Sequence, residues 1–235
     1  MTWKRLLQWS AGALIVTAAL VMAVFIHAFD PVLGTFLILF AVSLVLLPRF
    51  ERASSILVLI VVVLFIGAGA PFFIAAFLEP RSTYEFVSNA LLFVEGIVAG
   101  ISAVALLRRR DAASRAAALT GRTAIGVIVL AVILAVVARV TAPTVTIEAG
   151  DLRLTAQDTE FSTEQLDGDG PDVTVAVVNK DLGSHTFTID ELDVNESLPG
   201  QATTRVSFDA PPGTYTYYCA VQGHRPTMHG TLTVR

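Results

Sequence analysis

Four side chains near the C-terminal end could together bind a soft metal ion. Cys219 is the only cysteine in the 235-residue chain, and the spacing Cys219-x4-His224-x3-Met228 puts an imidazole and a thioether shortly after it. His185 lies 34 residues upstream, in the sequence GSHTFTI. Two imidazoles, a thiolate and a weak axial thioether make up the ligand set of a blue-copper site. The donor types and their spacing therefore predict a site for one copper ion.

Other interpretations of these residues are weaker. Zinc accepts thiolate and imidazole ligands, but a thioether gives no reason to choose zinc. A binuclear copper centre needs two bridging cysteines, and this chain has one. His229 is a rival ligand, but it follows Met228 directly, so strand alternation would point it toward solvent. Taken singly, each of these residues is an ordinary core or strand residue.

Strands and turns must bring these side chains together. After residue 143 the chain carries short strand-like runs, separated by the turn-forming sequences DGDGPD, NKDLGS, NESLPG and APPG. This pattern is typical of an all-β sandwich or barrel. The stretch VTVAVVNK alternates poorly, as expected for a strand buried on both faces. The predicted strands are Val145–Glu148, Leu152–Ala156, Val173–Asn179, His185–Ile189, Thr203–Phe208, Thr214–Cys219 and Thr231–Val234.

The segment GTYTYYCAVQGHRPTMHGTLTV resembles the C-terminal ligand loop of cupredoxins of the azurin and plastocyanin type. NKDLGSHTFTI resembles the upstream ligand strand of the same family. The resemblance covers residues 143–235 and implies a Greek-key β-sandwich with one type 1 copper ion. It also implies that His185, Cys219 and His224 are equatorial ligands and that Met228 is the axial ligand.

The sequence departs from the family pattern at two positions beside the ligands. Gln222 stands where many relatives have a proline, and Thr186 stands where asparagine commonly braces the ligand loop. A threonine hydroxyl is able to form the same brace. The single cysteine also excludes the internal disulfide that azurins carry.

The first 142 residues have a different character. The whole chain is 54% hydrophobic and 15% charged, and most of the apolar residues fall in five runs of this half. A membrane-spanning helix needs about 20 apolar residues, with a range of roughly 17–25. The sequence predicts a multi-pass membrane region over residues 1–142 and an extracytoplasmic domain over residues 143–235. The runs are Leu6–Phe29, Pro31–Pro48, Ala53–Leu78, Phe86–Leu107 and Thr123–Ala138, of which the second and fifth are short.

Basic residues between the runs indicate an orientation in the cell membrane. Cytoplasmic loops carry an excess of Lys and Arg. With five spans, nine basic residues fall on the side of the N-terminus, and Arg81 and Arg139 fall on the other. The N-terminus is therefore expected in the cytoplasm, the C-terminal domain outside, and His27 at the outer interface. The nine are Lys4, Arg5, Arg49, Arg52, Arg108, Arg109, Arg110, Arg115 and Arg122.

Glu95 is the one charged residue within the apolar runs. A carboxyl group inside a membrane is costly and raises a functional hypothesis. The simpler interpretation is a protonated side chain that hydrogen-bonds to a neighbouring helix. Gly96 and Gly100 form a Gly-x-x-x-Gly spacing, which allows helices to approach closely.

Three functions follow from these features. The first is one-electron transfer by a membrane-tethered blue-copper domain that is an electron carrier rather than an enzyme. The second is copper sensing, storage or delivery without electron transfer. The third is a membrane redox enzyme in which Glu95 takes a proton from a quinol.

The expected partners follow from charge and location. Residues 143–235 carry a net charge of −9, which fits a basic redox partner such as a c-type cytochrome or a terminal oxidase, or simply a solvated surface. The helices would contact membrane lipid. The overall charge of −4 gives no indication of a nucleic-acid partner.

Overall fold

We describe the protein from a computed structural model. The structure describes residues 1–26, 30–108 and 113–235, so His27, Arg109 and Arg110 lie outside the described residues. The chain divides into two compact units. The first comprises Met1–Pro80 and Phe86–Val137, and the second comprises Arg81–Glu85 and Ala138–Arg235.

Five α-helices are described in the N-terminal region, which agrees with the number of apolar runs. Thr2 caps the first helix, because its hydroxyl accepts a hydrogen bond from the Arg5 amide. Asp30 caps the second in the same way, and Pro31 then occupies its first turn. The helices are α1 (Trp3–Val21, continued by a π-helical turn over Met22–Ile26), α2 (Pro31–Leu46), α3 (Glu51–Leu78), α4 (Thr83–Leu107) and α5 (Arg115–Val140).

Four of the helices are long and apolar enough to cross a membrane. They are Trp3–Val24, Glu51–Leu78, Thr83–Leu107 and Arg115–Val140. The fifth apolar run, which is short in the sequence, is therefore part of a 26-residue helix, whereas α2 remains short at 16 residues.

Side-chain contacts inside the helical unit agree with the structural interpretation of Glu95 and the glycine pair. Glu95 Oε1 accepts a hydrogen bond of 3.2 Å from the Thr17 hydroxyl on α1. A methyl group on Gly100 would lie 3.4 Å from Val62 Cγ1 on α3, so this glycine marks a close helix contact.

Nine β-strands form the C-terminal unit as two packed sheets. The first sheet has the order β2-β1-β4-β7, and the second has the order β3-β9-β8-β5-β6. Strands β1 and β4 are parallel, as are β3 and β9. The strands are β1 (Leu152–Gln157), β2 (Glu160–Phe161), β3 (Gln165–Gly168), β4 (Asp172–Asn179), β5 (His185–Ile189), β6 (Val194–Leu198), β7 (Thr203–Asp209), β8 (Gly213–Tyr218) and β9 (His229–Val234).

The core between the two sheets contains apolar and aromatic side chains from both. Strand β4 lies between β1 and β7, and its central residues Val175, Ala176 and Val177 are all fully buried. This confirms the prediction of a strand covered on both faces. From the second sheet, Tyr217 stacks on Phe187 with ring centroids 5.5 Å apart.

The strand assignment from sequence was wrong at one segment and missed three others. Val145–Glu148 alternates like a strand but pairs with neither sheet. Its Glu148 instead binds the Arg205 guanidinium at 2.8 Å. Strands β2 and β3 are short, and β6 is polar along its middle, so all three resemble turns in the sequence.

Candidate metal centre

Two adjacent parts of the second sheet carry the predicted ligands. His185 is the first residue of β5, Cys219 directly follows β8, and Met228 directly precedes β9. His224 lies in the loop between Cys219 and Met228. Strands β5 and β8 are neighbours in the sheet, and their register among the described residues is a single pair, Thr188 with Tyr218.

Three of the predicted ligands converge on one point. His185 Nδ1 and His224 Nδ1 are 3.1 Å apart. Cys219 Sγ is 3.9 Å from the first of these nitrogens and 3.7 Å from the second. One donor atom from each of the three residues lies within 4.8 Å of the others. His185 and Cys219 are buried, whereas His224 is partly exposed.

Met228 is the last residue of the loop that begins at Cys219. Its side chain is fully buried in the apolar cluster that also contains Cys219. The Cys219 amide donates to the Met228 carbonyl at 2.9 Å, and the Met228 amide donates to the His224 carbonyl at 2.9 Å. His229, the rival ligand, is exposed, and its Nδ1 is 3.1 Å from the Arg225 carbonyl oxygen.

The surroundings of Cys219 favour its thiolate form. Burial raises the pKa of the thiol, but contacts with the His185 and His224 imidazoles and hydrogen bonds from backbone amides outweigh burial and lower the pKa to about 6. One of these amides is that of Thr186, whose nitrogen is 3.4 Å from Cys219 Sγ. A thiolate is the form that binds metal, and it is a soft ligand.

His185 responds to the same environment. Burial lowers the pKa of its imidazole, but contacts with Cys219 and Asp181 outweigh burial, so the pKa is above its ordinary value. A buried thiolate with two imidazole nitrogens and a buried thioether nearby fits a soft or borderline cation such as copper. The residues of the site are therefore suited to the metal that the sequence predicts.

Asn179 holds the segment that leads to His185. Its Nδ2 donates to the Gly183 and Leu198 carbonyls, both at 2.9 Å. Its Oδ1 accepts a 2.9 Å hydrogen bond from the Asp181 amide. Ser184, which directly precedes His185, donates hydrogen bonds from its amide and its hydroxyl to Glu85 of the same compact unit.

Asp181 is a site residue that the sequence analysis missed. Its Oδ2 lies 2.8 Å from His185 Nε2, the ring nitrogen opposite the one that faces Cys219. An aspartate four residues before a histidine, within a turn sequence, carries no signal of such a contact. The pair forms only because the turn folds back against the first residue of β5.

The brace expected from Thr186 is present. The Thr186 hydroxyl accepts a hydrogen bond of 2.7 Å from the Ala220 amide, one residue after Cys219. The same hydroxyl lies 3.0 Å from the Thr188 hydroxyl. The ligand loop is thereby tied to β5 through a side chain.

Replacing Thr186 with valine will loosen this tie. Valine keeps the shape and strand preference of threonine but has no acceptor for the Ala220 amide. We therefore expect the free energy of unfolding to fall by about 1 kcal/mol. Hydrogen–deuterium exchange of the peptide that contains residues 214–222 should become faster, while Thr186→Ser should keep the wild-type rate. Equal rates in the valine and serine variants would show that the hydroxyl does not brace the loop.

Comparison with known proteins gives a family and several similar structures. A family model described as "Cupredoxin-like domain" matches residues 127–234. An oxidised amicyanin variant with a methionine-to-lysine substitution has 17% sequence identity to this protein and a TM-score of 0.32. The match covers 38% of this chain and 86% of the amicyanin chain. A reduced Cu(I) amicyanin variant at pH 4 has 19% identity and a TM-score of 0.30, with the same coverage. A search of curated proteins gives no match.

Proposed function

Because the C-terminal unit is a cupredoxin-like domain, we propose that it binds one copper ion through His185, Cys219, His224 and Met228 and transfers single electrons. The observation that carries this proposal is the convergence of one thiolate and two imidazole nitrogens within 4.8 Å on a β-sandwich. Copper held by such ligands cycles between Cu(I) and Cu(II), so it would accept and release one electron.

The fold supports this role because it keeps the metal-binding atoms in fixed positions and shields them from water. His185 and Cys219 are attached to strands of one sheet, and the hydrogen bonds of Thr186 and Met228 fix the loop that follows Cys219. Little rearrangement of the ligands would then accompany a change of charge. Burial of the thiol and the thioether keeps water from the site.

His224 provides the contact with the outside. It is the one partly exposed side chain among the four proposed ligands. Electrons would therefore enter and leave through the exposed edge of its imidazole. Its loop neighbours Gln222, Gly223 and Arg225 are exposed, so this rim is where a redox partner would dock.

We propose that this activity is located at a membrane. Four of them are long and apolar enough to span it, and the bias of basic residues supports a cytoplasmic N-terminus and an extracytoplasmic copper domain. Lipid would then surround the helices. A c-type cytochrome or a terminal oxidase is the kind of partner that we propose for the exposed His224 edge.

Copper titration of the full-length protein in detergent tests the proposal. Cu(II) should produce an intense visible band with narrow copper hyperfine splitting in the EPR spectrum, and the loaded protein should exchange electrons reversibly at an electrode. A weak band with ordinary hyperfine splitting would overturn the ligand assignment. A blue spectrum with very tight Cu(I) binding and no electron exchange would instead support copper storage or delivery.

A further inference from the structure

The Asp181 carboxylate lies behind the first ligand of the site. Its Oδ2 is 2.8 Å from His185 Nε2, and the side chain of His185 is only 3% exposed. His185 Nδ1 points the other way, toward Cys219 and His224. One ring nitrogen therefore faces a carboxylate while the other faces the proposed metal position.

A strained turn holds this carboxylate in place. Asp158 and Thr159, between β1 and β2, have φ angles of 56° and 60°. Left-handed backbone is uncommon outside glycine, and for a β-branched residue such as Thr159 it is unfavourable. The conformation points two successive amides at Asp181: Asp158 N donates to Oδ1 at 2.7 Å, and Thr159 N donates to Oδ2 at 3.1 Å. Successive amides of this kind form an anion-binding concavity.

The backbone of Asp181 is fixed as well. Its amide donates to Asn179 Oδ1, and its carbonyl accepts a 2.9 Å hydrogen bond from the Gln201 amide. The turn is joined to the ligand loop by the Thr227 hydroxyl, which donates to the Thr159 carbonyl at 2.6 Å. These hydrogen bonds fix both the carboxylate and the backbone of Asp181 in the position from which the carboxylate contacts His185. The left-handed conformation of Thr159 is what directs its amide toward Asp181.

We infer that Asp181 is a positioning residue that keeps the proton of His185 on Nε2 and so presents the lone pair of Nδ1 to the metal. This inference rests on the proposed copper function. A ligating histidine that donates its second ring N–H to a carboxylate has a fixed ring orientation and is a stronger donor. The negative charge of Asp181 also favours Cu(II) over Cu(I), because Cu(II) carries the larger positive charge.

Asparagine at this position cannot reproduce the contacts. The two carboxylate oxygens accept three hydrogen bonds, from two amides and from His185. An amide side chain turns one of these acceptors into a donor, so either the turn or the imidazole loses its partner. It also removes the charge.

The experiment compares Asp181→Asn with Asp167→Asn in the full-length protein. Asp167 is an exposed residue on β3, so its substitution makes the same charge change away from the site. We expect Asp181→Asn to weaken Cu(II) binding about 10–100-fold, to weaken Cu(I) binding less and to raise the reduction potential. Asp167→Asn should keep all three wild-type values. Equal Cu(II) affinity and potential in wild type and Asp181→Asn would overturn the inference.

A second measurement needs no variant. Selective ¹⁵N labelling of histidine in the wild-type Cu(I) protein should show a slowly exchanging proton on His185 Nε2 and none on Nδ1. A proton on Nδ1 would overturn the inference even if Asp181→Asn failed to fold. A wild-type protein without the blue spectrum would contradict the copper function, whereas a blue wild type with equal Cu(II) affinity and potential in Asp181→Asn would contradict this inference alone.

Discussion

Replacing Cys219 with serine will abolish the intense visible band of the copper-loaded protein. The band arises from charge transfer between thiolate sulfur and Cu(II), and serine offers a hard, protonated oxygen in its place. Loss of a residue that hydrogen-bonds to a metal ligand already lowers metal affinity about 10–100-fold. We therefore expect Cu(II) affinity to fall more than about 100-fold when the ligand itself is lost. Visible and EPR spectra of the full-length protein during Cu(II) titration provide the measurement.

His229→Ala is the matched control for this substitution. His229 is the histidine closest in sequence to the proposed ligands that does not belong to their cluster, and it is exposed. The control should keep the band and the affinity of the wild type. A band that survives in Cys219→Ser, or one that disappears in His229→Ala, would contradict the ligand set.

Substitution of Gly200 by alanine will cause a large loss of stability in the β-sandwich. A Cβ atom at this position would lie 2.7 Å from the Leu182 carbonyl carbon and still closer to its oxygen. These are backbone atoms of the turn that leads to His185, so no change of rotamer relieves the clash. Overpacking typically costs about 1–3 kcal/mol, and a backbone clash belongs at the upper end or beyond.

Urea unfolding followed by hydrogen–deuterium exchange of the strand peptides measures the loss. Gly183→Ala is the control, because a methyl group there meets open space in the same turn region. We expect wild-type stability for Gly183→Ala and, for Gly200→Ala, both lower stability and weaker copper binding. Wild-type stability in both variants would contradict the close packing of Gly200 against Leu182.

The proposed ligands were accessible to sequence analysis because most of their chemistry is local. Cys219, His224 and Met228 lie within ten residues, so their types and spacing carry the information. His185 was identifiable because the chain has four histidines and two of the others were already accounted for in or beside the loop. The apolar helices were equally predictable from the sequence. Length and apolar composition are the main requirements of a helix that can span a membrane, and both are local properties of the chain.

The remaining features depend on contacts between distant segments. The parallel pairing of β3 with β9 joins residues more than 60 positions apart, and nothing within Gln165–Gly168 indicates it. Val145–Glu148 has the composition of a strand, and the absence of a pairing partner cannot be read from composition. The contact of Asp181 with His185 requires a turn whose two left-handed residues, Asp158 and Thr159, are not the glycines that would have revealed it.

The single residue pair between β5 and β8 has a consequence for the lifetime of the metal-free protein. Local opening is easiest where few backbone hydrogen bonds cross between elements, and here His185 belongs to one of the two strands while Cys219 directly follows the other. A cation bound to both would crosslink the two strands and suppress their separation. Without it, each opening event would expose to dissolved oxidants the Cys219 sulfur, which is fully buried in the closed fold. In an oxidising environment, delayed loading would then increase oxidation of this sulfur, and molecules that reach the sulfinic or sulfonic acid could no longer accept the metal.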